Sequence, residues 1–571
     1  MDNCEEIVYL PLGGAGEIGA NCYLYGFGSQ NSDREWIMVD CGMGFGSAEE
    51  TPGIDVFYPD LGFIRKRKKH LKAVFLTHGH EDHIGAIVHF CNDFKVPIYS
   101  SSFVISLIRR KLKEASIKAT NVQLCEIEPG QFVDLSFGRC AFVSMKHSIP
   151  YTNALLIKTQ AGVVFHSADF KLSYADRDEL QDTLGTLIGD DKVICLTCDS
   201  TNVIEEGISE SEDIVKPALH DIMKECTGAV AVTCFASNIE RLKAIVDVAS
   251  DCGRRVVIVG RAIQRMVEIA VGQYEIVEFP EVISDVEARN LPRENLCYLV
   301  TGSQGEGNAA FSRISTGNHP MVKLKEGDTA IFSSKVIPGN ERAVHKVWNN
   351  LAKQGVHIVD GKHATIHVTG HAHKGDLKLL YDILSPEMIV PMHGEYRHLV
   401  EHMCYAKEQG FDKSCLVENG AILRIWHVNA NNKKIGSVLE KVQVGRVYVD
   451  GALCSKELDS AVEERIAMSK RGHLTVTLVL DENEYELICE PGISSIGVPS
   501  LSLGGSVKKM QDSLLDAVER AFDDAMSSDT CDNEVLKEIE RCVVKSVSSF
   551  YQKFWKKKPV ISVNIVMVNI E

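Results

Sequence analysis

The apolar positions in about the first 200 residues fall in short runs broken by glycine and polar turns. This pattern predicts strands over Ile7–Leu12, Asn21–Tyr25, Trp36–Val39, Ala73–Leu76, Cys140–Ser144 and Val163–His166. From about Ser209 to Asp360 the rhythm changes. Helical spacing over Ile214–Cys226 and Ile239–Ala249 alternates with the apolar runs Ala229–Thr233, Val256–Val259, Leu296–Val300 and Thr329–Phe332. Such alternation builds βαβ units and a parallel sheet. Histidine-rich segments at His363–His373 and Pro391–His398 follow, as though the α/β block were inserted into the first domain. The polar stretch Asn429–Gly436 marks a linker edge. From about Leu453 a helix, a strand (Leu474–Leu480), a helix (Val507–Ala525) and a strand (Val560–Asn569) read as a small α/β domain.

The 571 residues are too many for one ordinary core. Hydrophobic content of 45% and charged content of 24% are those of a globular protein. No apolar run is long enough to span a bilayer, and the acidic start lacks a secretory signal pattern. The 18 cysteines have no framework spacing, which predicts reduced thiols and a cytoplasmic protein. Cys195 and Cys198 form a CxxC within an apolar run, the signature of a buried strand. A net charge of -17 argues against non-specific coating of nucleic acid, although Arg65–Lys69, Arg109–Lys111 with Lys113, and Lys556–Lys558 are local basic segments.

The densest chemistry is Thr77-His78-Gly79-His80-Glu81-Asp82-His83, directly after the apolar run Ala73–Leu76. Alternation at a strand end puts His78 and His80 on one side, and a turn must bring Asp82 and His83 to the same centre. Imidazole and carboxylate donors suit Zn²⁺ or Mn²⁺, and two adjacent ions fit this spacing better than one. His147, Asp169 and His393 also follow apolar runs, at the loop positions where active sites collect. Gly14–Gly19 matches GxGxxG with Asp40 downstream. Asn21–Tyr25 reads as a strand rather than the helix a dinucleotide site needs, so a glycine hairpin near the metal site is the better reading. There is no Gly-x-Ser-x-Gly elbow and no phosphate-binding P-loop.

Thr77–His83 resembles the HxHxDH signature of the metallo-β-lactamase superfamily. Asp199–Asn202, Gly370-His371-Ala372 and Pro391–Glu395 resemble the further motifs of the β-CASP nucleases. Leu12–Gly19, Phe235–Asn238, Thr301–Glu306 and Ile337–Glu341 are similar to bacterial ribonuclease J. The resemblance covers the whole chain. It departs where His373-Lys374-Gly375-Asp376 replace the serine and acidic residues common in relatives, and where Thr369 replaces a serine. It implies an α/β fold: a four-layer αββα metallo-β-lactamase domain (1–208 and 361–428), an inserted β-CASP α/β domain (209–360), a linker (429–452) and a small C-terminal α/β domain (453–571) with an oligomerisation role.

The resemblance also implies the chemistry. His78, His80 and His147 would hold one ion, Asp82, His83 and His393 the other, and Asp169 would bridge them. Asp40 and Asp199 would support these ligands, and His371 would serve the leaving group. Two divalent ions per subunit, Zn²⁺ or else Mn²⁺ or Mg²⁺, would direct hydroxide at the phosphodiester. Phe235, Ala236, Ser237, Asn238, His367, Val368, Thr369, Gly370 and His371 would contact substrate, with Phe235 stacking on a base and Ser237 and Asn238 holding a 5′-phosphate. The implied protein is a ribonuclease of RNA maturation and decay, with 5′→3′ exonuclease activity preferring 5′-monophosphate ends and endonuclease activity. Its implied partners are single-stranded RNA, a second or further copies as homodimer or homotetramer, and RNA-decay or ribosome-associated proteins, without membrane. HxHxDH alone also fits a small-molecule metallo-hydrolase (thioesterase or lactonase), and a DNA nuclease shares the chemistry. The inserted block with Phe235–Asn238 argues against the former.

Overall fold

The computed structural model describes residues 6–28, 34–47, 49–91, 93–272, 279, 281–337, 339–427, 436–456, 458–500, 506–527 and 534–569. Most of the expected linker edge, 429–435, and Pro338 of the Ile337–Glu341 motif lie outside these residues. The chain divides into two compact units. One comprises Met1–Gly44 and Tyr58–Arg446, and the other Phe45–Phe57 and Val447–Glu571. Residues 45–57, grouped with the first segment on sequence, belong to the second unit. No described helix is long and apolar enough to cross a membrane.

The first unit is built on two mixed sheets. In the first, Glu6–Gly13, Cys22–Gly28 and Glu35–Val39 run antiparallel, and Leu71–Phe75, Ile98–Ser100 and Leu124–Glu126 continue in parallel. The second is an antiparallel meander from Phe132–Leu135 to Gly162–His166, extended by the parallel strands Val193–Asp199 and Ile389–Met392. Tyr9, Tyr25, Phe27 and Phe75 of one sheet share a core with Phe142, Leu155, Ile157 and Val390 of the other. The outer face of the second sheet is covered by the helices Arg177–Ile188, Lys374–Leu384 and Tyr396–Glu408. Cys195 and Cys198 are both buried on Val193–Asp199.

Val193–Asp199 and Ile389–Met392 are neighbours in space, yet an α/β block separates them in sequence. That block holds a five-stranded, all-parallel sheet in the order Arg255–Val259, Leu296–Val300, Val230–Thr233, Thr329–Phe332, His357–Val359. Its strands are continuous apolar runs because both faces are covered. Val215, Leu219, Leu242 and Ile245 pack on one face, and Phe311, Val347 and Leu351 on the other.

In the second unit a three-stranded sheet (Gly492–Ile496, His473–Asp481, Val560–Val568) is covered on one face by the helices Val507–Met526 and Val535–Phe554. Strict alternation on His473–Asp481 buries Leu474, Val476, Leu478 and Leu480. The helix Val535–Phe554 is absent from the sequence reading.

Candidate metal centre

Two residues, Leu76 and Thr77, separate the end of the strand Leu71–Phe75 from His78. His78 and His80 occupy the following loop, and a one-turn helix, Glu81–Ile84, carries Asp82 and His83. His147 follows Gly138–Ser144, Asp169 follows Gly162–His166 and His393 follows Ile389–Met392. The turns are sharp. Asp40, Ala168 and His393 all take left-handed backbone conformations (φ 63°, 51° and 50°) that non-glycine residues rarely adopt. At Gly42 the chain passes so close that a Cβ would lie 1.6 Å from the Asp82 carbonyl oxygen.

Two donor groups share Asp169. His78, His80, His147 and Asp169 form one, and Asp82, His83, Asp169 and His393 the other, with ligand atoms in each within 4.8 Å of one another. In the first, Nδ1 of His80 is 3.1 Å from His78 Nε2 and 3.2 Å from His147 Nε2, and Asp169 Oδ2 is 3.6 Å from both Nε2 atoms. In the second, His83 Nε2 is 3.5 Å from Asp82 Oδ2 and 3.2 Å from Asp169 Oδ2, and His393 Nε2 is 3.4 Å from Asp82 Oδ2. A tetrahedral cation with ligands at about 2.1 Å needs its donors about 3.4 Å apart, so this spacing fits. Three imidazole nitrogens facing one another cannot be satisfied by one shared proton. Asp169 Oδ1 and His393 Nε2 are buried and make no hydrogen bond among the described residues. A buried His/Asp cluster of this kind is suited to binding metal ions.

The electrostatics split the cluster. Burial holds His78 and His147 well below the ordinary imidazole range and pushes His80 down to about 4. These three are neutral and ready to ligate. For His83 burial acts in the same direction, but Asp169, Asp82 and Asp40 outweigh it and hold its pKa well above the ordinary value. Asp169 likewise outweighs burial at His393. Burial would raise Asp82, Asp169 and Asp199, yet the histidines beside them hold all three below the usual carboxylate range.

Outer contacts orient these donors. Asp40 is fully buried. Its Oδ1 accepts the Thr77 N–H (2.8 Å), and its Oδ2 accepts the Thr77 hydroxyl (2.9 Å) and lies 2.7 Å from His83 Nδ1. His147 Nδ1 lies 2.6 Å from the Gly370 carbonyl, and a Cβ at Gly370 would come within 2.7 Å of that nitrogen. Asp199 Oδ2 is 2.8 Å from His371 Nδ1, and its Oδ1 accepts from Thr201, whose hydroxyl donates to the His393 carbonyl (3.0 Å). Asp169, Asp199, His371 and His393 form a third group of possible ligands.

The expected substrate residues are less uniform. Ser237 Oγ lies 3.0 Å from His80 Nε2, so it touches the cluster itself. Asn238 is buried and its Oδ1 caps the helix Ile239–Asp251 by accepting the Arg241 N–H. Val368 sits in the core of the inserted sheet with Ala236 against it, leaving its backbone for contacts. Phe235 is half-buried with its ring 6.2 Å from His367. Burial, with the Arg241 guanidinium 3.5 Å away, pushes His367 down to about 3. Thr369 Oγ1 accepts from Asn202 (2.6 Å) and from the His371 N–H (3.1 Å). The glycines at 14–19 form the turn before Cys22–Gly28, and the Gly14 carbonyl accepts the His393 N–H (2.6 Å).

Three contacts have no counterpart in the sequence reading. Asn21 Nδ2 lies 3.2 Å from Asp82 Oδ2 and 2.9 Å from His83 Nε2, with its Oδ1 held by the Tyr23 hydroxyl. Thr77 clasps Asp40, and its place beside the HxHxDH run was the available signal. Arg241, fully buried, pairs with Glu212 and donates to Ser333 and to the Ile366 carbonyl.

Comparison with known proteins accords with this arrangement. Residues 15–118 match the metallo-β-lactamase superfamily, 227–351 the ribonuclease J β-CASP domain, 356–416 the RNA specificity domain of Zn-dependent metallo-hydrolases and 460–568 the ribonuclease J C-terminal domain. Ribonuclease J of Sinorhizobium meliloti is 35% identical over 100% of this chain and 98% of its own. That of Mycobacterium tuberculosis is 32% identical over 98% and 96%, and ribonuclease J2 of Bacillus subtilis 28% identical over 98% of each. A solved protein of unknown function from Enterococcus faecalis V583 shares the fold, with a TM-score of 0.51 and 17% identity over 74% of this chain and 100% of its own. With its successive segments matched in order and its relatives aligned from end to end, the chain belongs to the ribonuclease J family of metal-dependent ribonucleases.

Proposed function

We propose that this metal-dependent ribonuclease is a 5′→3′ exonuclease preferring 5′-monophosphate ends, with endonuclease activity, in RNA maturation and decay. The observation that carries the reading is the pair of donor groups sharing Asp169, with Ser237 of the inserted block touching one of their histidines. His78, His80 and His147 would hold one divalent ion, Asp82, His83 and His393 a second, and Asp169 both, with Zn²⁺ or Mn²⁺ the best match to these donors. Bound there, the ions would supply Lewis-acid charge to the scissile phosphate and the attacking water.

The chain's own groups do the rest. Asp40 fixes His83 with Nε2 toward the cluster. Asp199 takes His371 Nδ1, leaving Nε2 to give a proton to the departing 3′-oxygen. Burial would lower the His371 pKa, but Asp199 outweighs it and raises the value, which suits a proton donor. The half-buried Phe235 ring offers a base a stacking face, and Ser237 offers a 5′-phosphate a hydroxyl.

A 3′-labelled single-stranded RNA bearing a 5′-monophosphate or 5′-triphosphate, incubated with Mn²⁺, tests this. Stepwise loss from the 5′ end, faster for the monophosphate and absent in an Asp82→Ala, His83→Ala protein, is expected. Equal rates on both ends would refute the end preference. Cleavage of neither would refute the nuclease reading and favour thioesters or lactones as substrates.

A further inference from the structure

The three basic segments fare differently in the fold. Of Arg65–Lys69, Arg65 pairs with Asp93 at 2.5 Å; among the described residues the other four cations make no ion pair, and no aromatic-lined groove is formed with them. Arg109 pairs with Glu126 at 2.9 Å, Arg110 with Glu268 at 3.0 Å and Lys111 with Glu81 at 2.6 Å. Lys556, Lys557 and Lys558 of the C-terminal unit are exposed and make no ion pair among the described residues. The same holds for Lys470, Arg471 and Lys553.

These cations meet at one end of the three-stranded sheet. His473 and Val560 pair in parallel register, so Arg471 and Lys558 precede neighbouring strands at the same edge. Lys557 Nζ lies 3.4 Å from the Lys470 carbonyl. Glu463, Ile466, Ala467, Lys470, Arg471 and Lys557 line a groove of about 560 Å³. Ser546 donates to the Ala517 carbonyl (2.8 Å) across the helix pair. Antiparallel stepping from that contact levels Lys508 and Lys509 with Trp555 at the same end. Aromatic rings are interleaved. Lys557 lies 5.6 Å from the Trp555 ring and Lys553 5.3 Å from that of Phe554, which is 36% exposed. The turn after the far end of His473–Asp481 carries Glu482, Glu484 and Glu486, so the unit is polarised along its strands.

The helices Leu458–Arg471 and Val535–Phe554 both end here, and their carbonyl ends carry about half a negative charge each. That offsets about one cation and leaves the rest mutually repelling in a chain of net charge -17. A flexible polyanion with stacking bases fits a groove of lysine stems, positive heads and an exposed phenylalanine. We propose that this end of the C-terminal unit is a second, sequence-independent contact for single-stranded RNA, formed by residues other than the His/Asp cluster. Lys470, Arg471 and Lys556–Lys558 would hold backbone phosphates, and Phe554 would stack on a base. The choice of RNA as the polyanion rests on the family's activity.

The test uses the full chain in EDTA, so that binding is read without cleavage. A fluorescent oligouridylate of about 30 nucleotides with a 5′-hydroxyl is titrated by anisotropy at several salt concentrations. For Lys556→Glu/Lys557→Glu/Lys558→Glu, affinity should fall at least about tenfold. The slope of log affinity against log salt should shrink by about 2, at about 0.7 per lost phosphate contact. A milder triple Lys→Gln protein should show the same trend, and Lys537→Glu, at the other end of its helix, should not. With Mn²⁺, cleavage of a short 5′-phosphorylated oligonucleotide should match that of the parent, which separates this proposal from the nuclease reading. Unchanged affinity and slope in both triple variants would overturn it. A change of mass in solution, whether or not RNA affinity falls, would overturn it in favour of a contact between copies of the chain.

Discussion

Asp40→Asn separates metal positioning from folding. The Asp40 carboxylate is fully buried and serves three partners: the Thr77 N–H, the Thr77 hydroxyl and His83 Nδ1. As an acceptor facing Nδ1 it keeps that proton in place, so that the proton His83 gives up on binding a cation is the one on Nε2, 3.2 Å from Asp169 and 3.5 Å from Asp82. Asparagine can keep Oδ1 on the Thr77 N–H and turn its NH₂ toward the hydroxyl oxygen and His83. Every buried group then stays paired, but His83 must accept at Nδ1 and carry its proton on Nε2, where a cation should bind. Loss of such an orienting partner costs about 10–100-fold in metal affinity, which is about 1.4–2.7 kcal/mol. The metal-free fold should lose less than about 1 kcal/mol, whereas Asp40→Ala takes the acceptor from three buried donors at about 1–3 kcal/mol each. Competition with a chromogenic chelator reads the affinity and thermal unfolding in EDTA reads the fold. Wild-type metal affinity in Asp40→Asn would refute the argument, as would destabilisation of the metal-free protein equal to that of Asp40→Ala.

Ser237→Ala should weaken one metal site by about tenfold through His80, with Ser237→Thr restoring it in the same chelator assay. An effect confined to 5′-end preference would mean that Ser237 touches only substrate. Because carboxylates hold the His83 and His393 pKa values above the ordinary range, both carry protons at neutral pH without metal. Zn²⁺ binding should therefore release about two protons at pH 7, read from calorimetry in buffers of different ionisation enthalpy, and no release would contradict the site's charge state. His402 is buried between Ser200 Oγ (2.8 Å) and the Tyr381 hydroxyl (2.5 Å), and burial pushes it down to about 4. The unfolded chain gains a proton there below about pH 6.5 that the folded one refuses until about pH 4. The stability is complete above that window and falls on acidification, by about 1.4 kcal/mol at pH 5.5. His402→Gln should lose that increment of acid sensitivity, and identical pH profiles would refute it. Asp376, fully buried, accepts from the N–H groups of Leu172 (2.8 Å) and Ser209 (2.8 Å) and from the Ser209 hydroxyl (2.5 Å). Asp376→Ala should destabilise by about 3 kcal/mol or more in urea unfolding, and a loss under about 1 kcal/mol would contradict that role.

The parts readable from sequence share a local cause. HxHxDH is six consecutive residues after a strand, so its donors converge without long-range information, and His147, Asp169 and His393 announce themselves by following apolar runs. The inserted sheet was legible because strands covered on both faces read as unbroken apolar runs. The rest depends on distant partners. Asn21 meets Asp82 and His83 across 61 and 62 residues, and Thr201 meets His393 across 192, with no spacing rule to announce either. Residues 45–57 join the C-terminal unit for the same reason. The helix Val535–Phe554 buries Ile539, Val543, Val547 and Tyr551 at four-residue intervals. Its β-branched and serine content lowers helix propensity, and packing on the sheet overrides it.

The outer contacts show why the α/β block is integral to the centre. Of the first group's histidines, His78 is braced by its neighbour Thr77, while His80 meets Ser237 and His147 meets the Gly370 carbonyl. In the second group His83 is braced by Asp40, while His393 leans on Thr201 and on the Gly14 carbonyl through its N–H. Each group thus has one ligand oriented within its own domain core and at least one oriented by segments at or beyond the insertion point. If the Ser237 brace is worth about a tenfold factor in affinity, a chain lacking residues 209–360 would keep every donor atom of the cluster and still bind metal about tenfold more weakly. The inserted block, through Ser237, is therefore also part of what orients the His/Asp cluster.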